Sequence, residues 1–336
     1  MKTGLRLGLY AAGLAAAFAG AYGIAGAVVP ESAVAAWAQQ NAAQESTMND
    51  HAAHGDASAP GDAGGHGGHD LQGVSLSAGG YALSPVHAPG VAGEQGTLSF
   101  RILDAAGEPL TEYAPQHEKE LHLVVVRADG MLFAHVHPRL DPGTGTWSIP
   151  WIWSAGGTYR VYADFAAAAE GASPVTLSTT VQVAGDYDPV ASTPSRVAQV
   201  DGYTVELGGD LVAGASSELG VSVTRDGVPV TTLEPYLGAF GHLVALREGD
   251  LAYLHVHAEG AAPTPGSTAG PDIAFAAQAP TAGRYLLYLD FQVEGRVHTA
   301  AFVVDAVSNG TLGTGATGGQ GDQHGSGDSG SGHSHG

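Results

Sequence analysis

The stretch LHLVVVRADGMLFAHVHP at residues 121–138 returns 120 positions later as GHLVALREGDLAYLHVHA at residues 241–258. A chain that writes the same hairpin-like pattern twice is expected to fold as two copies of one unit rather than as a single large domain. The correspondence extends beyond the hairpin: GEPL at 107–110 answers to GVPV at 227–230, and GTYRVYADF at 157–165 answers to GRYLLYLDF at 283–291. The spacing predicts a first repeat over residues 71–186 and a second over residues 187–307, with STPSRV near the junction as a linker. Short apolar-alternating runs separated by Gly, Pro and Asp turn signals fill both copies, which predicts an all-β chain of two tandem immunoglobulin-like β-sandwiches.

Strand alternation assigns faces within each copy. Tyr159, Val161, Ala163 and Phe165 fall on one face as core, while Arg160, Tyr162 and Asp164 fall on the other. The Gly-x-Tyr openings that place Tyr159 and Tyr285 resemble the corner tyrosine of immunoglobulin-like sandwiches, whose hydroxyl bonds back to the chain. Trp147, Ile149, Trp151 and Trp153 share one strand face and are expected to form an aromatic core.

The ends differ from the middle. Residues 1–40 read as a signal anchor or signal peptide: Lys2 and Arg6 precede the uncharged run from Leu7 to Val29, whose 23 residues exceed the ~20 that a membrane-spanning helix needs. AWAQ at 36–39 offers an A-x-A cleavage site, so both an anchored and a secreted product stay open, and either places the remainder outside the cytoplasm. Residues 41–70 and 308–336 lack hydrophobic periodicity and read as a disordered His-rich tether and a disordered His/Gly-rich tail. The net charge of −21 with 12 Lys plus Arg argues against nucleic acid as a partner and favours cations. The chain has no cysteine, so neither disulfides nor thiolate ligands enter the argument.

Histidines carry the chemistry. Asp129-Gly130 signals a two-residue type I′ turn and Gly249-Asp250 a type II′ turn. Setting Ala128 opposite Met131 pairs Val124 with His135 and His122 with His137. The same count in the second copy pairs Leu246 with Tyr253, Val244 with His255 and His242 with His257. Each repeat thereby brings three imidazoles to one face: His122, His135 and His137 in the first, His242, His255 and His257 in the second. Opposed Cβ atoms lie about 4.5–5.5 Å apart, within the span of rings reaching a common ion. Three neutral imidazoles suit Cu²⁺ or Zn²⁺ and leave one position open to water, to a carboxylate such as Asp141 or Glu259, or to a partner's ligand. The competing reading is a packed, structural histidine cluster. His51, His54, His66 and His69 in the tether and His324, His333 and His335 in the tail add a weak metal-collecting composition. His87, His117 and His298 have no counterpart at the matching repeat position and read as structural or surface residues.

From ELHLVVVRADGMLFAHVHP through AGGTYRVYADF, and again from LEPYLGAFGHLVALREGDLAYLHVH through AGRYLLYLDF, the chain resembles a family of bacterial exported β-sandwich proteins. These are often labelled heavy-metal-binding or copper-associated and are similar in appearance to YtkA-like and FixH-like domains. The resemblance implies an extracytoplasmic immunoglobulin-like fold and a role in metal handling. The HVH pair is also similar to that of copper-zinc superoxide dismutase, but a bridging histidine, a zinc-loop aspartate constellation and a cysteine pair are all missing from the pattern. The expected function is extracytoplasmic metal binding for buffering, resistance or delivery, with metal ions and another envelope metal-handling protein as partners and a membrane link through the N-terminal helix. The alternative is a cell-envelope interaction or adhesion module with structural histidines. No assignable general base or nucleophile stands out, so an enzyme is not expected, and a metal-dependent hydrolase or oxidase using the open coordination position stays as a third reading.

Overall fold

Leu121–Arg127 is buried at every position, whereas a strand covering a single core would alternate between buried and exposed residues. Its neighbours explain why. Leu121, Leu123 and Val125 point into the core of the first repeat. Val124 and Val126 point the other way, into a second apolar layer shared with Val244, Leu246 and Tyr288 of the second repeat. A near-continuous apolar run is the sequence of a strand covered on both faces.

The computed structural model describes residues 73–308 apart from Glu170, His255 and Pro265. The first repeat comprises β1 (Ser77–Ala78), β2 (Tyr81–Leu83), β3 (Gln95–Leu103), β4 (Tyr113–Ala114), β5 (Leu121–Arg127), β6 (Ala134–Val136), β7 (Arg139–Asp141), β8 (Thr146–Ile152), β9 (Gly157–Ala167) and β10 (Val175–Val183). The second comprises β11 (Val197–Val200), β12 (Tyr203–Gly208), β13 (Ser216–Arg225), β14 (Val228–Pro229), β15 (His242–Arg247), β16 (Tyr253–Leu254), β17 (Val256–Ala258), β18 (Asp272–Gln278), β19 (Gly283–Val293) and β20 (Arg296–Ala306). Sheet orders β1-β2-β3-β8-β7 and β10-β9-β5-β6 in the first repeat are matched by β11-β12-β13-β18-β17 and β16-β15-β19-β20 in the second. That is the immunoglobulin-like arrangement of two antiparallel sheets with an added edge strand beside the second. No α-helix occurs among the described residues, and none there is long and apolar enough to cross a membrane. The expected N-terminal helix, the tether and the tail lie outside the described residues.

The expected corner tyrosines are present. The hydroxyl of Tyr159 donates to the carbonyl of Ala155, and that of Tyr285 to the carbonyl of Thr281, each at 2.8 Å. Tyr159, Val161, Ala163 and Phe165 lie in the first core with Trp147 and Trp153, and Ile149 and Trp151 pack against it.

The outer faces of the β5–β9 and β15–β19 sheets pack on each other in a seam with approximate twofold character. Tyr162 donates to the carbonyl of Leu251 at 2.6 Å, and its counterpart Tyr288 donates to the carbonyl of Gly130 at 2.5 Å. Phe133 stacks on Tyr288 with ring centroids 4.0 Å apart. Gly130 is required there: a Cβ at that position would stand 2.5 Å from Leu286 Cδ1, and its φ is 80°. Equivalent faces meeting equivalent faces is the geometry of an isologous dimer interface, here within one chain.

Candidate metal centre

His122 and His242 sit on the seam faces of β5 and β15, in phase with Val124 and Val244. Alternation therefore sends the first histidine of each copy toward the other repeat rather than into its own sandwich. Their rings stack 5.6 Å apart at 5°. His135 enters from β6, opposite Val124 as the hairpin count predicts, and its ring lies 5.0 Å from that of His242. His122, His135 and His242 each offer a ring nitrogen, all within 4.8 Å of one another. His137 Nε2 lies 3.2 Å from His122 Nδ1. The structure thus gathers three histidines of the first repeat and one of the second at a single place.

The register survives a different turn. Rather than a two-residue loop closing Ala128 on Met131, the Arg127 N–H donates to the Met131 carbonyl at 2.9 Å, and Leu132 adopts φ 56°. Asp129 holds this loop: its carboxylate accepts from the Arg127 guanidinium at 2.9 and 2.7 Å, from the Met131 N–H at 3.2 Å and from the Val190 N–H at 3.0 Å. The extra span is absorbed before Ala134, so the ladder stays in phase.

In the second repeat the expected pairing of Leu246 with Tyr253 is present, but His257 does not stand opposite His242. The chain changes sheets, and β17 places His257 beside Ala276 of β18. His257 is exposed and lines a cleft with His117, Glu259 and Asp272. His255 lies outside the described residues, as do His51, His54, His66, His69, His324, His333 and His335. Asp141 is used elsewhere: it accepts from the Gly143 N–H at 3.0 Å and the Thr144 hydroxyl at 2.9 Å in the β7–β8 turn.

Three groups that sequence reasoning passed over complete the site. Asp290 on β19 accepts from His135 Nδ1 at 2.8 Å across the seam and from the Thr299 hydroxyl at 2.6 Å. The carbonyl of Gln116 lies 2.9 Å from His122 Nε2. The ring of His117, read as structural or surface, stands 5.4 Å from that of His242 and 6.0 Å from that of His122. Asp164, the counterpart of Asp290, faces His122 across the β5–β9 ladder and accepts from the Thr176 hydroxyl at 2.8 Å. The signal for both aspartates was available: each occupies the same place in YADF and YLDF, on the face opposite the core. His298 is structural, as expected, and bonded to Asp201 at 2.8 Å.

These partners fix the proton positions. Gln116 O can only accept, so His122 Nε2 carries the hydrogen and Nδ1 is a lone pair; the Asp290 carboxylate likewise holds a hydrogen on Nδ1 of His135, which in the neutral ring leaves Nε2 as a lone pair. Those two lone pairs face each other at 3.0 Å. Burial, reinforced by the neighbouring imidazoles, pulls His122 down to about 4 and His137 to about 3, and it holds His242 well below the ordinary range. Burial also raises the carboxyl of Asp164 to about 6, against the hydrogen bond from Thr176. A cation between the nitrogens satisfies both lone pairs, and ligands at about 2.0–2.1 Å in a tetrahedron have N···N edges of roughly 3.3 Å. The histidine–aspartate contact is the arrangement by which outer carboxylates orient metal-binding imidazoles.

Residues 77–187 and 198–308 each match the model of a domain of unknown function, DUF8832. The chain belongs to this family. Its description assigns neither a heavy-metal role nor any activity. No curated protein matches the chain. Among solved structures, the chain is similar to invasin, a bacterial integrin-binding protein, at 13% identity over 68% of this chain and 39% of that one, with a TM-score of 0.20. It is similar to the Yersinia pseudotuberculosis adhesin InvE at 13% identity over 68% and 60%, with a TM-score of 0.19. Domains 4 and 5 of the S-layer protein SbsC give 12% identity over 69% and 99%, with a TM-score of 0.20. The match thus spans about two fifths of invasin and three fifths of the adhesin.

Proposed function

We propose that this DUF8832 protein is an exported, non-enzymatic metal-binding protein whose centre is shared between its repeats, with His122, His135, His137 and His242 as ligands for Cu²⁺ or Zn²⁺. The observation that carries the reading is the convergence of ring nitrogens of His122, His135 and His242 within 4.8 Å of one another, with His122 Nδ1 and His135 Nε2 only 3.0 Å apart and the other nitrogen of each ring held by a carbonyl or a carboxylate. Four imidazoles would complete a tetrahedral sphere without thiolate, three of them with nitrogens already within 4.8 Å of one another and His137 adding a contact to His122, and such a set suits a borderline divalent ion. A filled sphere of neutral ligands favours storage or hand-over to another envelope metal-handling protein over catalysis, which needs an open position. Export rests on the basic residues and apolar run near the N-terminus.

Titrating the metal-stripped full chain with Cu²⁺ and with Zn²⁺ tests this reading. One ion is expected to bind much more tightly than it does to a His122→Ala/His242→Ala variant, which keeps the tether and tail histidines. Equal binding by both proteins would overturn it. A second reading, a cell-envelope interaction module with structural histidines, is favoured by the apolar seam, where Val124, Val126, Tyr162, Leu246 and Tyr288 hold the repeats together without an ion. Unchanged unfolding with and without metal, together with equal binding, would support that reading.

A further inference from the structure

The buried histidines have two flanks open to solvent, and the flanks differ in charge. A cleft of about 430 Å³ beside His137 carries Lys119 and Arg139 along with Glu118 and Glu120. A cleft of about 470 Å³ on the other flank is lined by His117, His257, Glu259 and Asp272, with no lysine or arginine. His117 is exposed at the tip of the turn before β5, where its φ of 46° and that of Glu118, 66°, fold the chain back over the seam. Its ring touches both the cleft and the edge of the centre, 5.4 Å from His242.

A hydrated divalent ion cannot enter an apolar seam unless each water it sheds is replaced by a protein ligand, because an uncompensated charge at low dielectric is prohibitive. Both clefts carry such ligands, but Lys119 and Arg139 oppose a cation in the one beside His137, whereas the other offers two carboxylates and two imidazoles with no lysine or arginine. We propose that the cleft of His117, His257, Glu259 and Asp272 is a loading site for a divalent cation, and that His117 hands the ion to His242 and His122. Glu259 and Asp272 attract the ion, His257 and His117 exchange for its waters, and the buried imidazoles displace them in turn. No electron or proton changes hands as long as the imidazoles are neutral. This proposal rests on the reading of the buried histidines as a metal centre.

Rapid mixing of the metal-stripped full chain with Zn²⁺, and separately with Cu²⁺, tests it. Glu259→Gln/Asp272→Asn is expected to slow association by roughly 10-fold or more at low ionic strength, with the difference shrinking at high salt. His117→Asn, chosen because asparagine tolerates positive φ, and His257→Asn are expected to slow uptake and release by a common factor. Equilibrium affinity then stays within about twofold, since a group used only in transit lowers the barrier equally from both sides. Unchanged uptake rates in all three variants would overturn the proposal, as would a large loss of equilibrium affinity in His117→Asn, which would make His117 a resident ligand. A wild-type chain that binds no better than His122→Ala/His242→Ala would remove the centre itself, a result distinct from altered or unaltered rates.

Discussion

The two hairpins begin from nearly the same sequence and cross to the opposite sheet at different points. In the first, β6 stays beside β5 and keeps His135 and His137 near the seam; in the second, β16 stays beside β15 for two residues before β17 crosses to β18, taking His257 with it. Proline explains the difference. The β7–β8 ladder pairs Arg139 with Ser148, and one or two further steps would set Pro138 opposite Ile149 and His137 opposite Pro150. Adjacent pairs of an antiparallel ladder alternate between bonded and non-bonded, so one of the two prolines falls where this ladder needs an N–H, and the ladder stops. The equivalent positions in the second repeat are Ala258 and Ala276, and there the ladder runs on to Val256. Duplication therefore yielded one centre fed unequally by two copies: three histidines from the copy with prolines and, among the described residues, His242 from the copy without.

The largest expected effect separates the seam histidines His122 and His242 from His257, which leaves the seam. His122→Ala and His242→Ala, one from each repeat, should each weaken Cu²⁺ or Zn²⁺ binding by more than about 100-fold, since outer partners alone carry roughly 10–100-fold. His257→Ala should leave equilibrium affinity unchanged despite its place in the duplicated motif. Calorimetric titration of the three variants checks this, and a loss in His257→Ala equal to that in His242→Ala would break the asymmetry.

Acid should act on the seam before it acts on either sandwich core. His122 and His137 have folded pKa values pulled down to about 4 and about 3, from about 6.5 when unfolded. The unfolded chain therefore binds more protons, so their contribution to stability is fully present above about pH 6.5 and is lost as pH falls toward the folded values. For the well-buried His122 that loss is on the order of 3 kcal/mol. Denaturant unfolding of the metal-stripped chain at pH 7 and pH 4.5 should show it, and His122→Gln should flatten the dependence. Equal pH dependence in the variant would show that the seam histidines do not govern it.

Asp290 tests whether the second repeat supports a ligand of the first. Asp290→Asn removes the charge that fixes the His135 tautomer and is expected to weaken metal binding by about 10–100-fold while the fold persists. The measurement is the affinity of the variant beside that of Thr299→Val, which frees one oxygen of Asp290 and should have a smaller effect. No loss in Asp290→Asn would mean that His135 is oriented by packing alone.

Much of this was legible from period-two alternation. The corner tyrosines, the aromatic core and the pairing of Val124 with His135 all follow from counting residues. The seam was written in Leu121–Arg127 too, since an apolar residue at both odd and even positions requires two covers, but alternation does not say that the second cover is the other repeat. The centre was half legible for the same reason. Which face His122 takes follows from Leu123 and Val125; what it meets there depends on how the two sandwiches pack, and this brings in His242, Asp290 and His117 from more than 100 positions away or from a turn with positive φ. The switch of His257 to the other sheet was visible only as Ala258 in place of Pro138.

That substitution gives the smallest and most specific effect. Pro138→Ala/Pro150→Ala restores the missing donor whichever of the two pairs is the bonded one, so the β7–β8 ladder is expected to gain pairs toward His137 and draw it from the seam. His122, His135 and His242, whose nitrogens lie within 4.8 Å of one another, stay in place, and metal affinity should fall by about 10-fold, less than on losing one of those three, because His137 is the outermost ligand. Amide hydrogen exchange reads the structural half of the prediction: new protection at residues 137–138 and 150, with the β5–β6 amides unchanged. Protection without an affinity loss would show that His137 is dispensable and that the centre is the three-histidine group of His122, His135 and His242. Neither change would show that the hairpin loop around Asp129, rather than the two prolines, holds β6 beside β5.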